Sequence, residues 1–368
     1  MFRTKTLITI IALMVSVLMP SIIFAESETV TYGTAVVQDD QATNDSIVIS
    51  VVGISPPPAD SPYSAILVSS DGSKSLDLGP MPFFQPVIQG VVQATGNINF
   101  TFDSTSDGYD GKNLLAHYSR IKLANGPDGS TAFSDNVPAN AAAYVNGIIA
   151  DLDAINEHLV SAISNASTAQ TSSDIEEVKT SIASAVAEAS IISGLADGLA
   201  AHAAAAAAED VEDINLAEGA AGVSASAANI SNWVNAAKAT ADADVATQTS
   251  ASVANIYAGK VFNELSAALD GWDANANGSI SASTGEGGSA QARISAQKMA
   301  TLTLEAKDLP ETESVTALGG DESDVGSVLG LGLPSVGEKV LMNLLLVGII
   351  LGVMMLGAGS LILVRNRT

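Results

Sequence analysis

The hydrophobic pattern of this chain changes from alternation to helical periodicity near Pro138, and this change constrains the fold more than any other feature. Residues 29–124 contain short runs rich in β-branched and aromatic residues, separated by turn signals such as Asp71-Gly72, a pattern typical of antiparallel strands. The predicted strands are the runs 29–37, 46–54, 63–70, 75–79, 87–95, 97–103 and 115–123. Such runs predict an antiparallel β-sandwich domain over residues 26–125.

After Pro138 the chain is rich in alanine and follows the spacing of helices. Val145, Ile148 and Leu152 recur every three or four residues, which places them on one buried helix face. A second helix is predicted to begin after Asp174. Further helices are predicted over residues 210–238, 242–269 and 288–306. This part of the chain is therefore predicted to be an Ala-rich helical bundle over residues 138–307.

Two segments of turn-forming composition complete the exported part of the chain. Residues 125–138 are rich in Gly, Asp, Ser and Asn, and we predict a loop there between the two domains. Residues 308–339 are rich in Gly, Ser and acids, a composition typical of a flexible stalk. The predicted fold class is α+β and multidomain.

Both ends of the chain carry apolar runs. Residues 1–25 combine basic Arg3 and Lys5 with an apolar run that ends at Ala25. This is the pattern of a secretory signal peptide, and an uncleaved membrane anchor is the alternative. Residues 340–364 contain no charged residue and exceed the ~20 residues that cross a bilayer core, so they predict a transmembrane helix.

The charges around this helix predict its orientation. Arg365 and Arg367 follow it, and the positive-inside bias assigns residues 365–368 to a cytoplasmic tail. We therefore expect a cell-membrane protein with a single span and with residues 26–338 outside.

The C-terminal segment also resembles a sortase sorting signal. Leu333-Pro334-Ser335-Val336-Gly337 precedes the apolar run and the arginines, with Val336 where the signal has threonine. This resemblance implies processing by a sortase. Plain membrane anchoring is the other interpretation, and the one we favour.

The exported part is strongly acidic. All 40 acidic residues and 10 of the 15 basic residues lie within residues 26–338, which gives this part a formal charge of −30. Nucleic-acid binding needs a basic surface and is therefore excluded as a function. An acidic surface suits cations or a cationic wall component, but solubility is the simpler explanation.

The strand-rich part carries a family resemblance. The sequences GISPPPADSPYSAILVSSDGSKSLDLGPM, residues 53–81, and DGKNLLAHYSRIKLA, residues 110–124, resemble the extracellular domain of anti-sigma-K-factor proteins and of bacterial surface proteins. Ile66 stands where that family usually carries tryptophan. The resemblance implies a sandwich module outside the membrane. Sigma regulation does not transfer, because it needs a cytoplasmic domain that this chain does not offer.

A stretch between the last two predicted helices follows the spacing of a calcium-binding loop. In an EF-hand, positions 1, 3 and 5 supply side-chain oxygens, a glycine at position 6 permits a sharp turn, and position 7 supplies a carbonyl. Asp273, Asn275, Asn277, Gly278 and Ser279 meet these requirements in order. The stretch resembles the EF-hand and dockerin loops of bacterial surface proteins.

The acid that should close this loop is displaced. Position 12 is Thr284, and Glu286 follows two residues later, among glycines that give the backbone freedom. The predicted calcium ligands within residues 273–286 are Asp273, Asn275, Asn277, Ser279 and Glu286. So few carboxylates predict the extracellular class of affinity, ~10⁻⁴–10⁻³ M. A calcium-free turn is the alternative, since Asn277-Gly278 alone forms turns readily.

Other chemistry-bearing residues are scattered. The chain contains no cysteine, which excludes thiol catalysis and thiolate zinc sites. His117 lies in a predicted strand, and His158 and His202 lie on separate predicted helices. The sequence holds no G-x-S-x-G, H-E-x-x-H or phosphate-loop motif. We therefore expect a protein that is not an enzyme.

These observations predict a non-enzymatic, membrane-anchored cell-surface protein with a calcium-stabilised helical domain. Its role would be structural, or the binding of a surface or membrane protein partner or another ligand. The alternative is an extracytoplasmic sensor module of a signalling assembly, which would need a membrane partner to carry the signal.

Overall fold

The computed structural model of the chain describes residues 32–125, 129–306 and 312. The predicted signal peptide (1–25), transmembrane helix (340–364) and cytoplasmic tail (365–368) lie outside the described residues. So does the predicted stalk (308–339), apart from Thr312. The predictions for these segments therefore remain predictions.

The described chain is α+β, with antiparallel sheets formed mainly by its N-terminal part and helices by its C-terminal part, as predicted. The strands are β1 (Tyr32–Gln38), β2 (Ser46–Ile54), β3 (Tyr63–Val68), β4 (Ser75–Pro80), β5 (Phe83–Phe84), β6 (Val87–Ile88), β7 (Val91–Val92), β8 (Gly96–Phe102), β9 (Arg120–Asn125), β10 (Thr131–Asn136) and β11 (Leu302–Leu304). One sheet has the order β11-β1-β2-β8-β5, a second has the order β10-β9-β3-β4, and β6 and β7 form a separate hairpin.

The alternating residues that predicted strands are the ones that form the core. In β2, Ile47, Ile49 and Val51 are fully buried, while the residues between them are partly exposed, because successive side chains of a strand point to opposite faces. Buried residues of both sheets belong to one hydrophobic cluster.

Three predicted local structures differ from the structure. The predicted strand 115–123 begins as a helical turn, α1 (Leu114–His117), capped by the side chain of Asn113, so His117 is not in a strand. The predicted strand 87–95 is the β6–β7 hairpin. The predicted loop 125–138 contains β10, which pairs with β9 and buries Phe133.

The longer helices are α2 (Ala139–Thr171), α3 (Ile175–Glu209), α4 (Ile214–Thr240), α5 (Ala251–Asp270) and α6 (Ser289–Met299), with a π-helical segment at Ala241–Val245. The starts of α3 and α4 follow from their capping residues. Asp174 accepts a hydrogen bond from the backbone N–H of Glu176, and Asp213 accepts from those of Asn215 and Leu216, which satisfies amides that no helical carbonyl reaches.

The last predicted helix, 288–306, is wrong beyond Met299. Its final residues form β11, which pairs antiparallel with β1. Leu302 and Leu304 are buried, and the threonine between them is exposed. Glu305 then exchanges backbone hydrogen bonds with Ser134 of β10. The chain thus returns from the helices to the sheets, and the helices occupy a connection between two strands.

Among the helices described, α3 is the one whose length and apolar composition would allow it to cross a membrane. Core helices have the same composition, so this property alone does not indicate a membrane span. In the structure, α3 packs against α2 and α4. Its residues Val178, Ile182 and Leu199 are buried in the common hydrophobic cluster.

One arginine ties the sheets to the helices. Arg293 of α6 contacts the carboxylate of Asp39, in the turn between β1 and β2, at 3.0 Å, and it also contacts that of Asp153 in α2. Gln297, one turn further along α6, donates to Asp39 at 2.9 Å. Since the arginine side chain is largely buried, this contact links three elements that are distant in sequence.

Candidate functional site

The candidate site is the loop between α5 and α6. The carboxylate of Asp273 accepts hydrogen bonds from the backbone N–H groups of Asn277 (3.1 Å) and Gly278 (2.9 Å). These bonds fold the chain back on Asp273. Gly278 has φ +84°, a backbone conformation that glycine adopts without strain. The first six positions of the predicted calcium loop therefore form a tight, self-bonded turn.

Glu286 lies inside this loop. The residue is only 4% exposed, although the residues before it, from Asn275 to Gly285, are mostly exposed. One carboxylate oxygen accepts from the side-chain amide of Asn275. The other accepts from the hydroxyl of Ser281 at 2.6 Å and its backbone N–H at 3.3 Å. The displaced acid thus points into the loop rather than into solvent.

The hydrogen bonds around Glu286 favour its charged form. The hydroxyl of Ser281 makes the largest contribution and lowers the pKa of Glu286 below its usual value. Burial and the negative charge of Asp273 oppose this effect. The hydrogen bonds thus outweigh the effects of burial and of the charge on Asp273.

A buried asparagine from another helix fixes the position of Glu286. Asn229 of α4 is 2% exposed. Its amide nitrogen donates to the carbonyls of Ser283 (2.7 Å) and Gly287 (3.0 Å), and its oxygen accepts from the N–H of Gly285 (2.8 Å). These bonds hold the backbone on both sides of Glu286.

Hydrogen bonds connect the five predicted ligands in a chain. The side-chain amide of Asn275 donates to Glu286, and the backbone N–H of Asn277 donates to the side-chain oxygens of Asp273 (3.1 Å) and Asn275 (3.0 Å). The hydroxyl and N–H of Ser279 both donate to the side-chain oxygen of Asn277 at 2.8 Å. Thr284, which occupies the usual position of the closing acid, is exposed.

Two groups of residues around this site were missed in the sequence. The hydroxyls of Ser281 and Ser283 both reach Glu286, and nothing in their spacing separates them from ordinary loop serines. Asn229 did leave a signal, because it is a polar residue on the buried side of α4, beside Ile230. A buried amide on an apolar helix face needs hydrogen-bond partners from outside the helix.

The histidines do not form a metal site with each other. His158 contacts Glu188 at 2.6 Å, and His202 contacts Asp151 at 3.2 Å. Each pair joins α2 to α3. In the part of the chain that the structure describes, no group of three or more His, Cys, Asp or Glu side chains is placed to hold a metal ion. The loop at 273–286 offers two carboxylates, together with amide and hydroxyl oxygens.

Comparisons with known proteins do not assign the chain to a family: no protein-family model, curated protein or solved structure matches it.

Proposed function

We propose that the protein is a non-enzymatic, membrane-anchored cell-surface protein whose helical part is stabilised by calcium bound at residues 273–286. In this proposal the two antiparallel sheets form a β-sandwich domain that stands outside the membrane with the helices. Residues 340–364 would be the anchor, in the orientation that places residues 26–338 outside.

The position of Glu286 is the observation that supports calcium most. Calcium prefers hard oxygen ligands, and weak extracellular sites combine few carboxylates with amide and carbonyl oxygens. Asp273, Asn275 and Glu286 fit this donor set, with Asn277 and the backbone carbonyl of Ser279 as the remaining predicted ligands. Two neighbouring carboxylates also repel each other, and a bound cation would remove that repulsion.

Calcium would act as a clamp rather than as a catalyst. Asp273 follows α5, Glu286 precedes α6, and Asn229 of α4 holds the same loop. A cation that binds the folded loop and not the unfolded chain stabilises the fold by mass action. With an affinity of ~10⁻⁴–10⁻³ M, calcium at about 10 mM would add roughly 1.4–2.7 kcal/mol to the free energy of unfolding.

The test is the melting temperature of residues 26–338 with and without calcium. We expect calcium to raise the melting temperature, and we expect Asp273→Asn and Glu286→Gln each to abolish that rise. Asp60→Asn removes an exposed carboxylate outside the loop and should leave the rise unchanged. The indole of Trp272 gives a second readout, because its backbone N–H donates to the carbonyl of Glu286 at 2.8 Å. Its emission can be followed alone in a Trp233→Phe background.

A melting curve that millimolar calcium leaves unchanged would refute the calcium site. So would a rise that persists in both loop variants. Neither result depends on the stability of the variants without calcium, since the measured quantity is the change on adding the ion.

A further inference from the structure

The β6–β7 hairpin exposes an apolar surface that the proposed function does not use. Val87, Ile88, Val91 and Val92 are 60%, 57%, 63% and 59% exposed. Together with Phe84, they make up five of the fifteen large exposed hydrophobic residues of the described chain, within nine consecutive positions. Exposed apolar residues are ordinary when single, but a contiguous patch marks a contact surface.

The charge pattern around the hairpin is as unusual as its exposure. The 25 residues between Asp77 and Asp103 carry no charge, in a chain whose formal charge is −25. Ion pairs therefore cannot hold a partner on this segment. The surface of such a partner must be apolar and close to neutral.

The hairpin is apolar on both faces. Val87 pairs with Val92, and Ile88 pairs with Val91. Paired residues share a face, and consecutive residues lie on opposite faces, so each face carries two exposed aliphatic side chains. A partner with a flat surface would cover one face of the hairpin and leave the other in water. A fluid apolar layer, such as the interior of a lipid bilayer, would cover both faces.

Several polar groups of the hairpin are satisfied from within. The N–H of Gln93 donates to the carbonyl of Pro86 at 3.0 Å, and the side-chain amide of Gln93 donates to the carbonyl of Val91 at 3.0 Å. The side-chain amide of Gln85 donates to the carbonyl of Gln93. Gln89 and Gly90 form the tip with positive φ angles, as in the two-residue turns that match the twist of a hairpin. Each of these internal bonds pairs a polar group that would be costly to expose to lipid.

We propose that this hairpin, residues 85–93, immerses its tip in the apolar layer of a lipid bilayer whose surface is close to neutral. The acidic body of the protein is repelled by anionic lipid, while the uncharged segment lets the hairpin approach zwitterionic headgroups. The hairpin is then a membrane contact in its own right, separate from residues 340–364 and independent of calcium.

The absence of cysteine from the sequence makes a direct test simple. Val91→Cys and Val92→Cys place a thiol on opposite faces of the hairpin, and Val211→Cys gives a matched control at an apolar residue 79% exposed in the connection between α3 and α4. Each full-length variant is labelled with an environment-sensitive dye and incorporated into phosphatidylcholine vesicles that contain lipids spin-labelled on the acyl chain. We expect a blue shift and quenching at positions 91 and 92, and neither effect at 211.

Two further arms separate the alternatives. Replacing part of the phosphatidylcholine with phosphatidylglycerol should reduce the quenching at 91 and 92, since the acidic body is repelled. Val87→Asp should also reduce the quenching at position 91, whereas Val211→Asp should not change it.

Three outcomes would overturn the proposal. Quenching at only one of positions 91 and 92 would indicate a flat contact. A blue shift without quenching, accompanied by energy transfer between differently labelled copies, would show that a second copy of the chain covers the hairpin. Dyes that remain water-like at both positions would show that the lipid does not cover it.

Discussion

The sheets and helix α3 of this protein bury side chains of different size. The sheets bury Ile47, Ile49, Ile98 and Phe102 almost completely. The buried face of α3 consists of Val178, Ile182, Ala185, Ala189, Ile192, Ala196, Leu199, Ala203 and Ala206, so five of its nine residues are alanine. Apolar burial contributes roughly 25 cal/mol per Å², and each alanine therefore contributes little.

This difference shows that the two regions depend on different properties of their residues. A sheet core depends on large side chains and loses stability when one is shortened. An alanine face allows helices to approach closely and draws on the high helix propensity of alanine, so it is sensitive to side chains that become larger. The two kinds of substitution can be used to test the comparison.

The largest expected effect is the loss of an aromatic ring from the sheet core. Phe102 is 2% exposed and lies against Tyr109, with ring centroids 6.2 Å apart. We expect Phe102→Ala to lower the free energy of unfolding by about 3–5 kcal/mol, because it removes buried area and leaves a cavity. Chemical denaturation measures this value. Phe84→Ala, at an exposed position, should change it by less than about 0.5 kcal/mol, and a similar loss in both variants would contradict the assignment of the core.

A smaller loss is expected when an alanine of the helical face is enlarged. Ala203 is fully buried in α3, whereas Ala201, two residues away, is exposed. Ala203→Leu should cost about 1–3 kcal/mol, because a close-packed interface has no room for the added carbons. Ala201→Leu should be almost neutral. If Ala203→Leu raised the denaturation midpoint instead, the added side chain would be filling a cavity. The helices would then be loosely packed rather than closely packed.

The same contrast explains which elements could be predicted from the sequence. Alternation in β2 and three-four spacing in α2 are local signals, and both elements formed where they were expected. β10 carries polar and turn-forming residues and is identified as a strand by its pairing with β9 and by its bridge to Glu305. β11 has only three residues, Leu302–Leu304, and pairs with β1 at the other end of the described chain. The sequence around a short strand carries almost no signal of a partner that lies so far away along the chain.

The candidate site also has one part that the local sequence predicts and one part that depends on distant residues. The spacing from Asp273 to Ser279 is a local pattern, which predicts a calcium loop with a calcium-free turn as the alternative. The inward position of Glu286 depends on Asn229, which lies on a different helix. Sequence spacing identified Glu286 as the residue that decides the prediction, but its location required the packing of α4 against the loop.

The smallest effects should come from two carboxylates with opposite pH dependence, one in each region. In the turn between β3 and β4, the hydroxyl of Ser69 (2.6 Å), followed by the N–H and hydroxyl of Ser73, lowers the pKa of Asp71 to about 2. In α5, burial raises the pKa of Glu264, and its contacts with Lys260 and Thr240 only partly offset this. The surroundings of Asp71 therefore favour its charged form, and those of Glu264 favour its neutral form.

The signs follow from proton linkage. Asp71 binds its proton less readily when the protein is folded. Its contribution to stability is present at pH values above the ordinary aspartate pKa of about 3.9 and is lost as the pH falls towards 2. Glu264 binds its proton more readily when folded. Its contribution to stability is present at pH values below the ordinary glutamate pKa of about 4.3 and is lost as the pH rises through the higher pKa of the folded state.

Urea denaturation at pH 7, 4 and 2.5 measures both effects. Asp71→Asn should be less stable than the unchanged protein at neutral pH, and the difference should shrink between about pH 4 and 2. Glu264→Gln should gain most stability over the unchanged protein at neutral pH. This gain should shrink as the pH falls and Glu264 of the unchanged protein becomes protonated. If both variants changed with pH in the same direction, the two carboxylates would be controlled by the net charge of the acidic chain rather than by their local surroundings.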